Sequence, residues 1–443
     1  MADDRWVTLR LGTICTKIGS GATPRGGSDV YLDNGPYALV RSQNVHNDGF
    51  HYGGLAFIEE KHAAELCNVE VKKDDVLLNI TGDSVARCCQ VDPSILPARV
   101  NQHVAIIRTD PDKLNTQFLR YLIISPEMQA RLLSWAGSGG TRNALTKGMI
   151  ESLEVLVPEN VAEQHAIAYI LGTLDDKIEL NRRMSETLEL TARALFKSWF
   201  VNFDPVRAKA EGRDTGLPNP FTELFPDRFE DSELGEIPAE WRVVTVGELG
   251  EIICGKTPPT ADKENYGGNI LFITIPDMHN KVFITQAETR LTAKGAETQP
   301  NKLLPKHSIC VSCIATPGLV VITSEPSHTN QQINSIICNS VTSPYWCYLA
   351  MTSIRQKIIT GGAGGSATLN LNKAEFSKLQ LVRPDNETMQ RFHNSVEPIF
   401  SRIRSNDLEN MALSTIRDTL LPKLTSGKLR VKDAERFIKE KGL

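Results

Sequence analysis

The chain has 443 residues, of which 41% are hydrophobic and 23% charged, and its formal net charge is −4. This balance excludes a disordered protein, and the length predicts two or three domains with cores of their own. The first ten residues lack a basic segment followed by an apolar stretch, and no apolar run approaches the roughly 18 residues of a membrane span. We therefore expect a soluble, cytoplasmic protein.

The charge is unevenly distributed along the chain. Residues 1–157 carry 16 basic and 18 acidic side chains, and residues 238–384 carry 13 and 10. Residues 201–237 carry 4 and 9, so this one segment accounts for more than the whole deficit. Neither flanking region is strongly basic. Any binding of nucleic acid by this chain alone is therefore expected to be modest and to need basic partners.

The first region predicts an α+β module. Short runs bounded by Gly, Pro and Asn predict strands at residues 37–41, 75–80, 103–108 and 152–157. A helix is predicted at about residues 115–134, just before a glycine-rich loop. That loop begins the phrase GSGGTRNALTKGMIESLEVLVP at residues 137–158.

A long helix is predicted after this module, at residues 160–200. Its heptad positions, in steps of four and three, are Ile167, Leu171, Leu174, Ile178, Asn181, Ser185, Leu188, Ala192, Leu195 and Trp199. Residues 386–424 have the same spacing at Phe392, Val396, Ile399, Ile403, Asn406, Asn410, Leu413, Arg417, Leu420 and Leu424. Antiparallel pairing places Asn181 opposite Asn406 or Asn410, where buried Asn residues fix register and orientation. In the alternative, each helix packs separately on its own module and Asn181 is half-exposed.

The second half of the chain repeats the landmarks of the first. WVTLRLGTIC at 6–15 corresponds to WRVVTVGELG at 241–250, GSGATP at 19–24 to CGKTPP at 254–259, and VNQHVAII at 100–107 to TNQQINSI at 329–336. The glycine-rich phrase returns as GAGGSATLNLNKAEFSKLQLVRP at 362–384. The order is kept while most side chains differ, which indicates one scaffold used twice with different surfaces.

These patterns predict five segments. They are a first module at 1–158, a central helix at 159–200, a linker at 201–237, a second module at 238–385, and a C-terminal helix and tail at 386–443. The linker is rich in Pro, Gly and acidic residues, and we expect it to be ordered but irregular.

Several kinds of site are absent from the sequence. Both glycine-rich loops lack the GK[ST] of a phosphate-binding loop, and no dinucleotide or S-adenosylmethionine glycine motif follows a strand. The nine cysteines are expected to be free thiols, and Cys310 and Cys313 to face opposite sides of one strand, like Leu77 and Ile80 in the first module. The histidines show no metal-ligand spacing, and the acidic pair Asp175–Asp176 is expected on the exposed face of its helix. No catalytic set and no metal site are predicted.

The sequence resembles the specificity subunit of type I restriction–modification systems over nearly the whole chain. The resemblance is carried by AEQHAIAYILGTLDDKIELNRRMSETLELTARALFKSWFVNFDPV at 162–206 and by the twin module openings GSGATP and CGKTPP. It implies two target-recognition domains, each reading one half of a split DNA target, separated and joined by two long antiparallel coiled-coil helices that act as a spacer. It also implies a non-catalytic chain in an antiviral defence complex with two methyltransferase and two motor-nuclease (restriction) subunits. S-adenosylmethionine, Mg and ATP belong to those subunits.

Loop residues whose side chains suit base edges and phosphates are the predicted DNA contacts. In the first module they are Lys17, Ser20, Thr23, Arg25, Arg41, Gln43, Asn44, Thr81, Arg99, Asn101, Gln102, Thr141, Arg142 and Asn143. In the second they are Lys256, Thr257, Thr260, Lys263, Thr274, Asn330, Gln331, Gln332, Ser366, Thr368 and Asn370. For each of them the alternative is a polar residue that only forms a turn.

Three other functions remain open at this point. The chain could be the recognition subunit of a fused methyltransferase–nuclease, an enzyme with a cleft between duplicated domains, or a coiled-coil interaction protein without a DNA function. A neighbouring gene for separate subunits, turnover of a small substrate, and a gel shift with a co-expressed partner distinguish them.

Overall fold

The computed structural model describes residues 6–137, 143–361 and 371–440. The chain forms two compact units, unit 1 with residues 1–179 and 411–443, and unit 2 with residues 180–410. Each unit combines an α+β module with half of each of two long helices, so the predicted fold class is confirmed. No helix in the described ranges is long and apolar enough to cross a membrane.

The module of unit 1, called module 1, contains twelve short strands in its described part. They are β1 (Trp6–Arg10), β2 (Cys15–Ser20), β3 (Tyr37–Val40), β4 (Val45–His46), β5 (Gly49–Phe50), β6 (Ala56–Ile58), β7 (Glu70–Val71), β8 (Val76–Asn79), β9 (Cys88–Gln90), β10 (Ala98–Val100), β11 (Val104–Thr109) and β12 (Glu154–Pro158). They form sheets in the orders β2-β11-β8-β9 and β6-β3-β10-β7, with two-stranded pairs β1-β12 and β4-β5. The four predicted strands are confirmed as β3, β8, β11 and β12, each within two residues at its ends.

The helices of unit 1 include one correction. They are α1 (Leu11–Ile14), α2 (Glu60–Glu65), α3 (Thr116–Ile124), α4 (Pro126–Gly137), α5 (Lys147–Ser152) and the first half of α6 (Val161–Phe200). The single helix predicted at 115–134 is wrong, because α3 ends at Ile124 and Ser125 is extended. Proline disfavours a helical conformation in the residue before it but is tolerated in the first turn of a new helix, so Pro126 separates α3 from α4.

Unit 2 begins with the second half of α6, and the segment after it is more regular than predicted. Its helices are α7 (Asp204–Ala210), α8 (Asn219–Thr222), α9 (Ile275–Met278), α10 (Ala293–Glu297), α11 (Pro344–Ser353), α12 (Arg355–Gly361), α13 (Lys373–Ser377) and the first half of α14 (Asn386–Thr425). Its strands are β13 (Phe229–Ser232), β14 (Gly235–Pro238), β15 (Arg242–Thr245), β16 (Gly250–Cys254), β17 (Tyr266–Ile273), β18 (Phe283–Ile284), β19 (Thr289–Leu291), β20 (Ile309–Ser312), β21 (Val320–Thr323), β22 (Ser327–Thr329), β23 (Ile333–Cys338) and β24 (Gln380–Arg383). The tail helix α15 (Val431–Glu440) belongs to unit 1.

The sheets of module 2, the α+β part of unit 2, repeat those of module 1. Their orders are β16-β23-β20-β21-β18 and β19-β17-β22, with the pair β15-β24. The shared connectivity places β16, β23 and β20 where module 1 has β2, β11 and β8. The internal repeat read from the sequence is therefore present in the topology.

The predicted linker contributes to the core of unit 2. Residues 201–237 contain α7, α8 and most of the hairpin β13-β14, so the expectation of irregular structure is wrong for about half of them. Phe225 is 1% exposed, and its ring centroid lies 5.0 Å from that of Trp199. Burial of a large aromatic side chain stabilises by about 1.5–3 kcal/mol, and Phe203, Val206 and Ile237 of the same segment are buried as well.

The two long helices pack together antiparallel, which is the predicted arrangement. In unit 2 the fully buried Asn181 donates from Nδ2 to Asn410 Oδ1 at 3.0 Å and to Glu409 Oε2 at 2.9 Å. Asn406, also fully buried, donates to Ser185 Oγ at 3.1 Å. The alternative with separate helices and a half-exposed Asn181 is wrong. Helix α14 continues through Pro398, which removes one backbone hydrogen bond from it.

In unit 1 the helix halves are joined by a buried carboxylate. Asp175 on α6 accepts hydrogen bonds from Arg120 at 2.7 Å, Tyr121 at 2.7 Å and Arg417 of α14 at 2.8 Å. Burial raises the pKa of Asp175, but the charge of Arg120 and the hydrogen bonds from Arg417 and Tyr121 outweigh it and hold the pKa below its usual value. The side chain is 15% exposed, so the expectation that it lies on the exposed helix face is wrong.

We predict that Asp175→Ala lowers the free energy of unfolding by about 3–5 kcal/mol, because it leaves the buried guanidinium of Arg120 without its partner. The matched control is Asp176→Ala at the exposed neighbouring position, where we expect a change within about 0.5 kcal/mol. Urea denaturation of both variants measures the difference. Equal stability of the two variants would contradict a structural role for the Asp175 carboxylate.

Candidate nucleic-acid interface

In module 1, a close backbone contact positions the loop that follows β2. Gly21 N donates to Asn101 O at 3.1 Å, and a Cβ atom on Gly21 would lie 1.6 Å from Val100 O. Only glycine fits this contact. It holds the loop against the turn after β10, where Thr23 Oγ1 donates to Gln102 Oε1 at 2.7 Å.

Module 2 builds the same contact with equivalent residues. A Cβ on Gly255 would lie 2.1 Å from Asn330 O, and Thr257 Oγ1 donates to Gln331 Oε1 at 2.6 Å. These contacts equate Gly255 with Gly21 and Thr257 with Thr23. The alignment of GSGATP with CGKTPP is therefore wrong by one residue.

The turn that follows β10 in module 1 has the same construction as the turn that follows β22 in module 2. Asn101 Oδ1 accepts from His103 N at 3.0 Å, and Asn330 Oδ1 accepts from Gln332 N at 3.1 Å. Ile80 N donates to His103 O, and Cys313 N to Gln332 O, both at 2.9 Å. His103 and Gln332 thus occupy one position of the shared scaffold, with different side chains.

An open cleft of about 420 Å³ lies between the loops of module 1. Its lining residues are Ser42, Gln43, Thr81, Gly82, Asp83, Ser84, Arg87 and His103. Gln43 and Thr81 are predicted contacts, whereas Ser42, Asp83, Ser84, Arg87 and His103 were not predicted. The sequence contained one signal that His103 is a site residue. It lies in the repeated phrase VNQHVAII, at a position where module 2 has Gln332.

The predicted contact residues differ in exposure. Those with exposed side chains are Ser20, Thr23, Arg25, Gln43, Gln102, Asn143, Lys256, Thr260, Lys263 and Gln331. Those of intermediate exposure are Lys17, Arg41, Thr81, Thr257, Thr274, Asn330 and Gln332. Thr141, Arg142, Ser366, Thr368 and Asn370 lie outside the described residues.

Three predicted contacts are buried and bonded within module 1. Arg99, 7% exposed, donates to Ala63 O at 3.1 Å and to Ala98 O at 2.9 Å. Asn44 is fully buried and donates to His51 O at 2.9 Å. Asn101 is 5% exposed, and its Oδ1 accepts the backbone bond described above. These side chains support the loops from inside and present little surface to a ligand.

Two basic side chains at the surface of module 1 are also tied to the backbone. Arg41 donates to Gly54 O and lies over the Tyr31 ring, 5.3 Å from its centroid. Lys17 donates to Asn68 O. Both remain partly exposed, so each charge is held in place while part of the side chain faces solvent.

The histidine and cysteine positions bear on metal binding. His46, Asp48 and His51 bring ligand atoms within 4.8 Å of one another in the β4-β5 hairpin, although the sequence predicted no metal site. The two imidazole rings stack with centroids 3.9 Å apart.

Cys310 and Cys313 lie in different hydrophobic clusters, which confirms that they face opposite sides of β20. Burial raises the pKa of Cys310 to about 12 and that of Cys313 to about 11.

Known proteins resemble this chain over most of its length. The family described as "Type I restriction modification DNA specificity domain" matches residues 3–190 and 238–408. The "Type I restriction enzyme HindI specificity subunit" of Haemophilus influenzae is 39% identical over 403 residues, covering 81% of this chain and 87% of the relative. The "Type I restriction enzyme MjaIX specificity subunit" of Methanocaldococcus jannaschii is 25% identical over 328 residues, covering 73% and 71%. The crystal structure of a type I S subunit from M. genitalium has a TM-score of 0.59 at 15% identity, covering 96% of this chain and 97% of that one, so the fold is shared.

We predict that Gly21→Ala destabilises unit 1 by about 1–3 kcal/mol, because the added methyl group cannot fit beside the carbonyl of Val100. Gly19→Ala in β2, two residues before Gly21, is the matched control, since a Cβ at Gly19 has no neighbour within 4 Å. Thermal unfolding of the two variants measures the difference. A Gly21→Ala variant as stable as the Gly19→Ala variant would show that the loop does not need this close contact.

Proposed function

Because this chain belongs to the family of type I restriction–modification specificity subunits, we propose that each of its modules reads one half of a bipartite DNA target. As a specificity subunit it confers DNA target recognition and is itself non-catalytic. In the finer proposal, the paired helices set the gap between the half-sites and dock two methyltransferase subunits. Two motor-nuclease subunits complete the cytoplasmic complex. S-adenosylmethionine, Mg and ATP are used by the methyltransferase and motor-nuclease subunits.

One observation carries this proposal: the two modules share a scaffold but differ where the scaffold faces solvent. The contacts Thr23–Gln102 and Thr257–Gln331 are equivalent, and the next position is His103 in one module and Gln332 in the other. Two modules that read different half-sites need a shared scaffold with different side chains at its surface. Base edges are distinguished by the donors and acceptors that side chains offer, and the scaffold only has to position them.

The charge balance supports a role for partners in DNA binding. The net charge of −4 gives this chain little attraction for phosphates, which normally supply most of the non-specific affinity. The exposed basic residues Arg25, Lys256 and Lys263 are available near the loops, but they are few. We infer that the methyltransferase subunits complete the clamp around the duplex.

The exposed faces of α6 offer surfaces for docking. Tyr169 is 74% exposed, Leu190 is 65% exposed and Leu180 is 55% exposed, although all three are large and apolar. Apolar side chains of this size on the outside of a helix are typical of surfaces that a partner covers. They support docking of the methyltransferase subunits along this helix.

We predict that inserting one heptad into both α6 and α14 lengthens the unread gap by up to about three base pairs. A heptad adds roughly 10 Å at ~1.5 Å per residue, and B-DNA rises ~3.4 Å per base pair. Sequencing of modified DNA from a host with the whole system measures the gap. The control inserts four residues in each helix, which breaks the heptad seam and should abolish modification. An unchanged gap after the heptad insertion would rule out the spacer role.

We predict that Arg41→Ala alters recognition of the first half-site only, at a cost of about 1–3 kcal/mol in binding. Competition binding with duplexes altered in one half-site or the other measures this effect in the complex with methyltransferase subunits. Arg242→Ala removes an exposed arginine on β15 of module 2 and is the control. Equal loss at both half-sites would mean that Arg41 serves folding, through its bond to Gly54.

A further inference from the structure

Four polar side chains of module 1 form a continuous chain of hydrogen bonds, here called the relay. Thr23 Oγ1 bonds Gln102 Oε1 at 2.7 Å, Gln102 Nε2 bonds His103 Nε2 at 3.0 Å, and His103 Nδ1 bonds Thr81 Oγ1 at 2.6 Å. His103 and Thr81 line the cleft. The relay therefore connects the loop after β2 with a hydroxyl group that faces the cleft.

The orientation of the Gln102 amide gives every hydrogen bond of the relay the same direction. Because Gln102 Oε1 accepts from Thr23, the Gln102 amide donates to Nε2 of His103, and the ring proton lies on Nδ1. Thr81 Oγ1 then accepts from His103, and its own hydroxyl hydrogen is free to donate into the cleft. If the Gln102 amide turns over, every bond reverses, and Thr81 donates to His103 and offers only lone pairs.

Module 2 has only the first link of this relay. Thr257 bonds Gln331, but the position of His103 is Gln332, whose Oε1 accepts from Asn330 Nδ2 at 3.1 Å. Because Cys313 corresponds to Ile80, the position of Thr81 is Ile314, which has no polar side-chain atom. The two modules thus present a hydroxyl group and an apolar side chain at the same point.

We propose that Thr81 reads one base of the first half-site by donating a hydrogen bond, and that His103 and Gln102 are positioning residues that set its direction. This inference rests on the proposed function of the modules. At the equivalent position Ile314 makes an apolar contact with the second half-site, such as with a thymine methyl group. Reading by Thr81 depends on the relay, because a hydrogen bond from His103 Nδ1 to Thr81 Oγ1 leaves the hydroxyl hydrogen of Thr81 for the base.

The test uses the chain co-expressed with its methyltransferase subunits. The probe is duplex DNA carrying the target identified by sequencing of modified host DNA, together with every single-base substitution in both half-sites. Competition binding gives the discrimination at each base pair for the wild type, Thr81→Val, His103→Gln and the control Thr16→Val. Thr16 is exposed, and its hydroxyl bonds only to Arg108 O among the described contacts.

We expect Thr81→Val to reduce discrimination at one position of the first half-site by about 5- to 150-fold, which corresponds to ~1–3 kcal/mol for one base contact. His103→Gln should weaken discrimination at the same position and at no other. In both variants every position of the second half-site should stay unchanged, and Thr16→Val should match the wild type at all positions.

Two results would overturn this inference. They are unchanged discrimination in both relay variants, and loss at both half-sites together with a lower melting temperature. In each case the wild type would still discriminate at both half-sites, so the proposed function would stand. A wild-type complex that discriminates at neither half-site would contradict the proposed function itself.

Discussion

Neither module completes its hydrophobic core without residues from two helices that are distant in the sequence. In unit 1 the core includes Leu171 from α6 and Leu420 from α14. In unit 2 it includes Phe196 from α6 and Phe392 from α14, whose ring centroids are 6.1 Å apart. Because each core needs both helices, helix pairing and module folding stabilise each other. The rest of the structure depends on this antiparallel pairing.

Polar groups within the pairing give it specificity. Leucine at every seam position would allow the helices to shift by a heptad. A buried amide needs a hydrogen-bond partner on the other helix, so it allows one register only. Asn181 and Asn406 meet this requirement in unit 2, and Asp175 does so in unit 1 with Arg417. Breaking a buried charge pair costs about 3–5 kcal/mol, so the unit 1 contact strongly restricts the pairing.

Under the proposed function, the duplicated modules separate the task of holding loops from the task of reading DNA. Gly21 and Gly255 hold equivalent loops through backbone contacts that tolerate no side chain. The positions beside them differ freely, because an exposed polar side chain contributes little to stability. A scaffold of this kind lets one half-site change without loss of the fold. Under the proposed function, the weak basic charge of the chain means that partner subunits supply much of the affinity for DNA.

Hydrophobic periodicity predicted β3, β8, β11 and β12 and both long helices, because it reports which faces are buried. It could not tell which polar residues are buried. Arg99 has a side chain that suits a DNA contact, but it donates hydrogen bonds to backbone carbonyls inside module 1. Asp175 has a carboxylate that suits an exposed position, but it accepts hydrogen bonds from two arginines. Polar residues at loops serve turns, cores and ligands alike, and the sequence contains no signal that separates these uses.

The sequence by itself determined the duplication, the α+β class of each module, the heptad seam with its polar gap, and the family. All of these are patterns of spacing and residue type along the chain. Only the tertiary structure decided that His103 joins Thr81 to Gln102 and that the linker is part of a core. The physical reason is that hydrogen bonds and burial depend on distances between residues far apart in the chain, and only folding establishes those distances.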